Sequence, residues 1–253
     1  MQCYRPIIGY RSRTPHPETG RFGIVFKARE GFYDMKVKIP CGTCVGCKLE
    51  RSRQWAMRCM HEAQMHEDNC FITLTFNDDN INKEGTLVKA DFQNFMKRLR
   101  KEISPAKVRY YHCGEYGDKL SRPHHHACLF GYDFPDKEFL NIRDNVSLYT
   151  SPLLQKLWPF GFSTIGSVTF DSAAYVARYI MKKQTGKDGE EYYGDILPPY
   201  TTMSRRPGIG SSWFEKFKSD VFPSDEVVIK KGIKCRPPRF YDNMYDMESP
   251  DDF

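Results

Sequence analysis

The sequence predicts an α+β fold built on an antiparallel sheet, and three observations carry that expectation. Strand-like alternation and amphipathic helical stretches are interleaved without a βαβ repeat. Neither a dinucleotide-type glycine fingerprint nor a Gly-x4-Gly-Lys-Ser/Thr phosphate loop occurs, so a doubly wound sheet and an NTP-driven motor are excluded. Val108 to Glu115 and His124 to Phe130 read as two strands joined by a turn-rich stretch, which makes a hairpin.

Lys48 to His66 contains no Gly or Pro and spaces Ala56, Cys59, Met60 and Ala63 at helical intervals, so it reads as a helix. In Phe71-Ile-Thr-Leu-Thr-Phe76, Ile72, Leu74 and Phe76 alternate with Thr73 and Thr75, a half-buried strand with one polar face. Asp78-Asp79-Asn80 turns the chain. Phe92, Phe95, Met96, Leu99 and Ile103 mark a second amphipathic helix. After a Pro- and Gly-punctuated connection, Ile165 to Phe170 reads as a short strand. Asp171 or Ser172 then caps a helix running to about Lys183. Gly186 to Gly210 reads as a long loop, and the acidic end after Arg239 as a fraying tail. The expected organisation is a basic cysteine-cluster segment with its helix (1–66), a central domain (67–220) and a basic-then-acidic tail (221–253).

Composition narrows the class of partner. The 253 residues are 40% hydrophobic and 28% charged, which excludes collagen-like and wholly disordered chains. No apolar run is long enough to span a membrane, and the first residues lack the apolar stretch of a secretion signal, so a cytoplasmic protein without membrane partners is expected. The formal charge is +6, yet residues 1–60 alone hold 12 Lys and Arg against four acidic residues. A basic segment on a near-neutral body suggests nucleic acid. Arg51, Arg53 and Arg58 beside Trp55, and the Arg205-Arg206 loop, fit phosphate contacts, and a solvated surface fits them too.

Two constellations carry chemistry. On a strand, His124 and His126 share a face while His125 points away, so two imidazoles converge on one point. Two histidines bind a divalent ion weakly, and His112, Glu115 and Asp118 are the nearby third ligands. Glu115 is favoured, because a carboxylate oxygen suits Mg2+ or Mn2+. Further on, Tyr175, Tyr179 and Lys182 lie on one helical stripe opposite Ala173, Val176, Ala177 and Ile180. A phenol beside an ammonium or metal gains nucleophilic character, and phosphodiester transesterification uses such a group. Separately, Cys41-x2-Cys44-x2-Cys47 resembles a zinc knuckle in need of a fourth ligand. Cys59 lies 12 residues beyond Cys47, about 18 Å along a helix, so Cys3 is the better candidate for a structural Zn2+ site.

Pro123-His124-His125-His126 followed by Tyr-x3-Tyr-x2-Lys resembles the HUH endonucleases, the rolling-circle replication initiators. Phe71 to Phe76 looks like their first motif. More narrowly, Pro40 to Cys47, Arg51 to Arg58, Gly114-Glu-Tyr-Gly117 and Ser204 to Gly210 resemble the replication initiators of the gokushovirus branch of the Microviridae. The likeness runs from about Cys3 to Phe217, and His125 departs from it where the family motif carries a bulky hydrophobic residue. The resemblance implies a central antiparallel sheet of about five strands flanked by helices, with the metal on the sheet and the tyrosine helix alongside. It also implies a metal-dependent nickase that forms a 5′-phosphotyrosine link, leaves a 3′-OH for polymerase, and re-ligates unit circles with its second tyrosine. Lys182 would balance phosphate charge or orient the phenol. The implied partners are single-stranded origin DNA, the supercoiled double-stranded replicative form, and the helicase and DNA polymerase of a bacterial host whose cytoplasm it occupies. A tyrosine transposase or relaxase, and a non-catalytic single-strand binding protein, are the competing readings.

Overall fold

The computed structural model describes residues 3–17, 20, 22–117, 120–182, 191–222, 224–229 and 232–248, the side chains of 179–182 excepted. The chain divides into two compact units, Met1–Arg51 and Ser52–Phe253. In the first unit, β1 (Ile7–Pro15), β2 (Phe22–Val25) and β3 (Gly31–Ile39) form an antiparallel sheet in the order β2-β1-β3. Its sequence signal, Met35, Val37 and Ile39 alternating with Lys36 and Lys38, is masked by the basic charge that dominates this segment. Helix α1 (Val45–Ala63) begins three residues before the expected Lys48 and ends at Ala63.

The second unit holds a seven-stranded antiparallel sheet. Its strands are β4 (Asn69–Thr75), β5 (Arg109–Tyr116), β6 (Pro123–Phe130), β7 (Glu138–Arg143), β8 (Val146–Thr150), β9 (Ser163–Gly166) and β10 (Tyr200–Met203). They run in the order β10-β5-β6-β4-β9-β8-β7. The expected hairpin is β5–β6, and the expected strand at 165–170 is β9, shifted to Ser163–Gly166.

Seven strands replace the expected five for two reasons. Within the stretch read as a loop, Tyr200–Met203 pairs with Tyr111 to Gly114 at the edge of the sheet. The connection after β6 contains the β7–β8 hairpin, turned by Asp144 and Asn145 at φ 50° and 61°. Two successive positive φ values match the right-handed twist of a hairpin, and Asp and Asn tolerate them better than other non-glycine residues.

Alternation along the strands loads the two sheet faces differently. Cys70, Ile72 and Leu74 of β4, with Ala127 and Leu129 of β6, face helix α2 (Lys89–Glu102), whose Phe92, Phe95, Met96 and Leu99 are buried as the spacing predicts. The short helix α3 (Pro152–Leu157) adds Leu154 and Leu157 to the same core. Each large side chain buried there contributes about 1.5 to 3 kcal/mol. On the opposite face, Tyr111, Cys113, Cys128 and Phe130 pack with Ala56 and Cys59 of α1 and with Ala173, Val176 and Ala177 of α4 (Phe170–Lys182).

Thr169, rather than Asp171 or Ser172, caps α4. The Ser172 N–H donates to Thr169 Oγ1 (3.1 Å), and the Thr169 N–H donates to Ser172 Oγ (2.8 Å). This reciprocal pair satisfies two orphan helix donors at once, which neither expected residue does alone.

The acidic end does not fray within the described residues. After α5 (Ser211–Val221) and the short β11 (Val227–Val228) and β12 (Lys234–Cys235), α6 (Arg239–Glu248) buries Tyr241 against Met57, Phe214 and Val221. The Tyr241 hydroxyl bonds His61 Nδ1 at 2.9 Å. An amphipathic turn with a large aromatic anchor outweighs the acidic repulsion that made this segment read as a tail.

Candidate active site

The register of three adjacent strands assembles a polar site at one end of the sheet face that also carries α4. His124 lies across from Thr75 on one side and Glu115 on the other, and His126 across from Thr73 and Cys113. Directly opposed residues project to the same face, so pairing alone brings two imidazoles, a carboxylate and two hydroxyls together. The same face is apolar further along, at Cys128 and Phe130.

The hydrogen bonds orient both rings. His124 Nδ1–H donates to the Arg122 carbonyl (2.5 Å), which leaves Nε2 with its lone pair free for a ligand. His126 is held at Nδ1 by the Thr73 hydroxyl (3.0 Å), and its Nε2 lies 3.0 Å from Glu115 Oε1. The two rings are parallel to within 5°, with centroids 6.2 Å apart. Burial holds the His124 imidazole below its ordinary pKa against the opposing effect of the Arg122 carbonyl, so the ring is neutral at pH 7 and able to coordinate. Gly117 makes room for it, because a Cβ there would sit 2.9 Å from His124 Cε1.

Tyr175 completes the cluster. Its ring meets His126 edge-on, centroids 5.2 Å apart at 88°, and it is 38% exposed. It projects from α4 on the side away from buried Ala173, Val176 and Ala177. These groups line a cleft of about 710 Å³ that also takes in Arg178 of α4 and Arg143 and Asp144 at the β7–β8 turn. Reasoning from sequence missed those three, although the Asp144-Asn145 turn signal was there to be read. The backbone of α4 continues through Tyr179 and Lys182, whose side chains lie outside the described residues, as does Asp118.

Of the third-ligand candidates, the structure brings Glu115 to the histidines and leaves His112 on the other side of the sheet. There His112 Nε2 meets His125 Nδ1 at 3.1 Å, its Nδ1 meets the Thr202 hydroxyl at 2.9 Å, and its ring stacks on Phe92 at 3.6 Å. Burial pushes the His125 pKa down to about 3 and that of His112 well below the ordinary value. Two nitrogens and a carboxylate oxygen on one wall of an open cleft suit a divalent cation with positions left over for substrate.

The expected phosphate-binding arginines divide. Arg205 and Arg206 are exposed. Arg58 is instead sandwiched between Trp55 and Phe240, 4.1 and 3.7 Å from their ring centroids, and donates to the Ile209 carbonyl (2.9 Å). Arg53 Nη1 donates to the Arg236 carbonyl (3.1 Å). Both therefore serve packing within the second unit, where the positive charge had suggested DNA contact. Arg51 is an exposed residue of the first unit. In that unit the Sγ atoms of Cys3, Cys41, Cys44 and Cys47 all lie within 4.8 Å of one another.

A family profile of replication-associated proteins of the ORF2 type matches residues 69–184, the span from β4 to the end of α4 that holds every group of the cleft named above. The chain is 34% identical to the replication-associated protein VP4 of Bdellovibrio phage phiMH2K, over 99% of this chain and 79% of that protein. It is 34% identical to the replication-associated protein ORF2 of Spiroplasma virus 4, over 87% of this chain and 72% of that protein. The replication-associated protein ORF4 of Chlamydia phage 1 is 28% identical over 85% of this chain and 56% of its own length. No solved structure matches the chain.

Proposed function

The chain belongs to the phage replication-associated proteins of the Microviridae type, and from that premise we propose that it initiates replication by nicking one DNA strand at the origin through a tyrosine. The observation that supports this reading is the convergence of His124, His126 and Glu115 with the edge of Tyr175 in one cleft. A binding module that merely stacks bases has no use for a carboxylate hydrogen-bonded to an imidazole at the floor of its groove.

A divalent ion such as Mg2+ or Mn2+ held by His124 Nε2, His126 Nε2 and a Glu115 oxygen would act there as a Lewis acid on the scissile phosphate. The protein's own groups do the rest. Thr73 and the Arg122 carbonyl fix the two rings, so no ordering is required when DNA arrives. The Tyr175 oxygen attacks phosphorus, forming the Oη–P bond as the P–O3′ bond breaks. Its proton passes to water at the open side of the cleft, and the departing oxygen becomes a 3′-OH that a host polymerase extends. Arg178 lies on the cleft wall, where a guanidinium offsets phosphate charge. Tyr179, one helical turn beyond Tyr175, cuts the regenerated origin, and the new 3′-OH attacks the first phosphotyrosine to release a circle. The phosphodiester energy is conserved in the link, so joining needs no ATP. The supercoiled replicative form and a host helicase supply the single strand, in the cytoplasm of the host.

The test uses 3′-labelled single-stranded oligonucleotides tiling the phage genome, incubated with the protein and Mn2+. A covalent protein–DNA adduct is expected that survives in Tyr175→Phe and in Tyr179→Phe and is lost in the double variant, while each single variant fails to release closed circles. An adduct in the double variant would place the nucleophile elsewhere. Tyr111 is a poor substitute because it is fully buried and stacked on Trp55, and the Tyr116 hydroxyl is bonded to the Leu197 carbonyl and the Leu87 N–H.

A further inference from the structure

The first unit raises a question of stability that its sheet does not answer. Among the described residues of Met1–Arg51 no apolar side chain is buried, and the buried positions are Gly9, Ser12, Gly31 and Gly46. Ile7, Ile24, Phe26, Tyr33 and Met35 are all more than 40% exposed. A unit of this size gains little from hydrophobic burial even with a core, and small domains that lack one are held by disulfides or a metal.

The four thiols occupy the place where such a cross-link would act. They come from three separate pieces of chain: Cys3 ahead of β1, Cys41 just after β3, and Cys44 and Cys47 at the start of α1. Cys3 Sγ lies 3.6 Å from Cys41 Sγ and 3.9 Å from Cys44 Sγ, and Cys41 Sγ lies 4.0 Å from Cys47 Sγ. A disulfide requires about 2.05 Å and is excluded, and all four cysteines are free. A tetrahedral zinc with bonds of about 2.3 Å places its sulfurs about 3.8 Å apart, which is the spacing observed.

The surroundings fit thiolates bound to a metal. The Cys41 N–H points at Cys3 Sγ (3.3 Å) and the Cys44 N–H at Cys41 Sγ (3.4 Å), the backbone donors that relieve charge on metal-bound sulfur. Gly42 permits the turn between the first two ligands at φ 75°, which other residues rarely adopt. Arg51 Nη2 stands 3.7 Å from where a Cβ at Gly42 would be, so a cation flanks a centre that would carry two negative charges.

We propose that Cys3, Cys41, Cys44 and Cys47 bind one structural zinc ion, and that this ion holds the first unit folded. Four protein ligands leave no open position for water, so the centre differs in kind from the cleft of the second unit. Zinc binding then contributes directly to folding of the unit, as in other small metal-organised domains.

Metal analysis of the purified full chain should find about one zinc, reduced at least tenfold in Cys44→Ser and in Cys47→Ser and unchanged in His124→Ala/His126→Ala. Cobalt exchanged into the wild type should show the thiolate charge-transfer and tetrahedral ligand-field bands of an S4 site. Limited proteolysis of Cys44→Ser should cut within residues 3–47 at least tenfold faster, with cleavage in 52–248 unaltered. A zinc-free wild type, bound iron in its place, or zinc that follows the histidines would overturn the site. Zinc loss without faster cleavage would overturn its role in folding.

Discussion

His124, His125 and His126 are consecutive, yet the two faces of the sheet turn the same side chain into different chemistry. On one face His124 and His126 meet Glu115, Thr73 and the ring of Tyr175 at an open cleft. On the other, His125 meets His112 in a sealed pocket with Phe92 and Trp158. Both faces hold a pair of histidines. The difference is a carboxylate and access to solvent on one side, and complete burial on the other, which keeps His125 neutral and unable to serve a phosphate. A histidine cluster in a sequence therefore identifies a site only once its neighbours across the sheet are known.

The contrast is sharpest in activity. His124→Ala, His126→Ala or Glu115→Ala should each lower adduct formation by about a thousandfold or more, because the phosphate loses several kcal/mol of transition-state stabilisation, with salt-dependent DNA binding retained. His125→Leu should leave the adduct rate close to wild type and change stability by about 1 to 3 kcal/mol, as His112 loses a buried partner. Equal losses of activity for His125→Leu and His126→Ala would erase the distinction between the faces.

Thr73→Val keeps the shape of the side chain and deletes the bond to His126 Nδ1. A tenfold to hundredfold fall in adduct rate is expected, the usual cost of losing the partner that orients a metal-binding histidine. Measuring the Mn2+ concentration for half-maximal activity separates this role from packing, since only loss of ring orientation should raise it.

The smallest effect concerns stability against pH. His61, His112 and His125 have pKa values depressed by burial, His61 to about 4 and His125 to about 3. In the unfolded chain each titrates near 6.5, so below that pH the unfolded state takes up protons that the folded state refuses. Stability is complete above pH 6.5 and falls as the pH drops towards the folded values, by about 2 kcal/mol for each histidine at pH 5. Urea midpoints between pH 7 and 5 should show this decline, and His125→Leu should flatten its slope by one proton. A midpoint that does not move would mean that these rings stay accessible.

How much was legible follows from how local each signal is. The β4 alternation, the α2 spacing and the β5–β6 hairpin depend on a few neighbouring residues, and the structure places them within a few positions of where the pattern puts them. The segregation of His124 and His126 from His125 is equally local, because it follows from the period of two in a strand. The hairpin at Asp144-Asn145 had a local signal too, obscured by surrounding Pro and Gly punctuation.

The sequence by itself determined the periodic elements, the parity of the histidines and the stripe on α4, since each is set by backbone geometry within one element. Only the tertiary structure decided that Glu115 faces the histidines while His112 does not, because strand register selects cross-strand neighbours. It alone decided that Tyr200–Met203 becomes a strand, since four residues acquire a ladder only from the free edge of β5. It also decided that Arg58 packs where its charge suggested DNA, and that Tyr241 anchors an acidic helix. In each case the deciding energy is a desolvated contact between residues far apart in the chain, which no local pattern encodes.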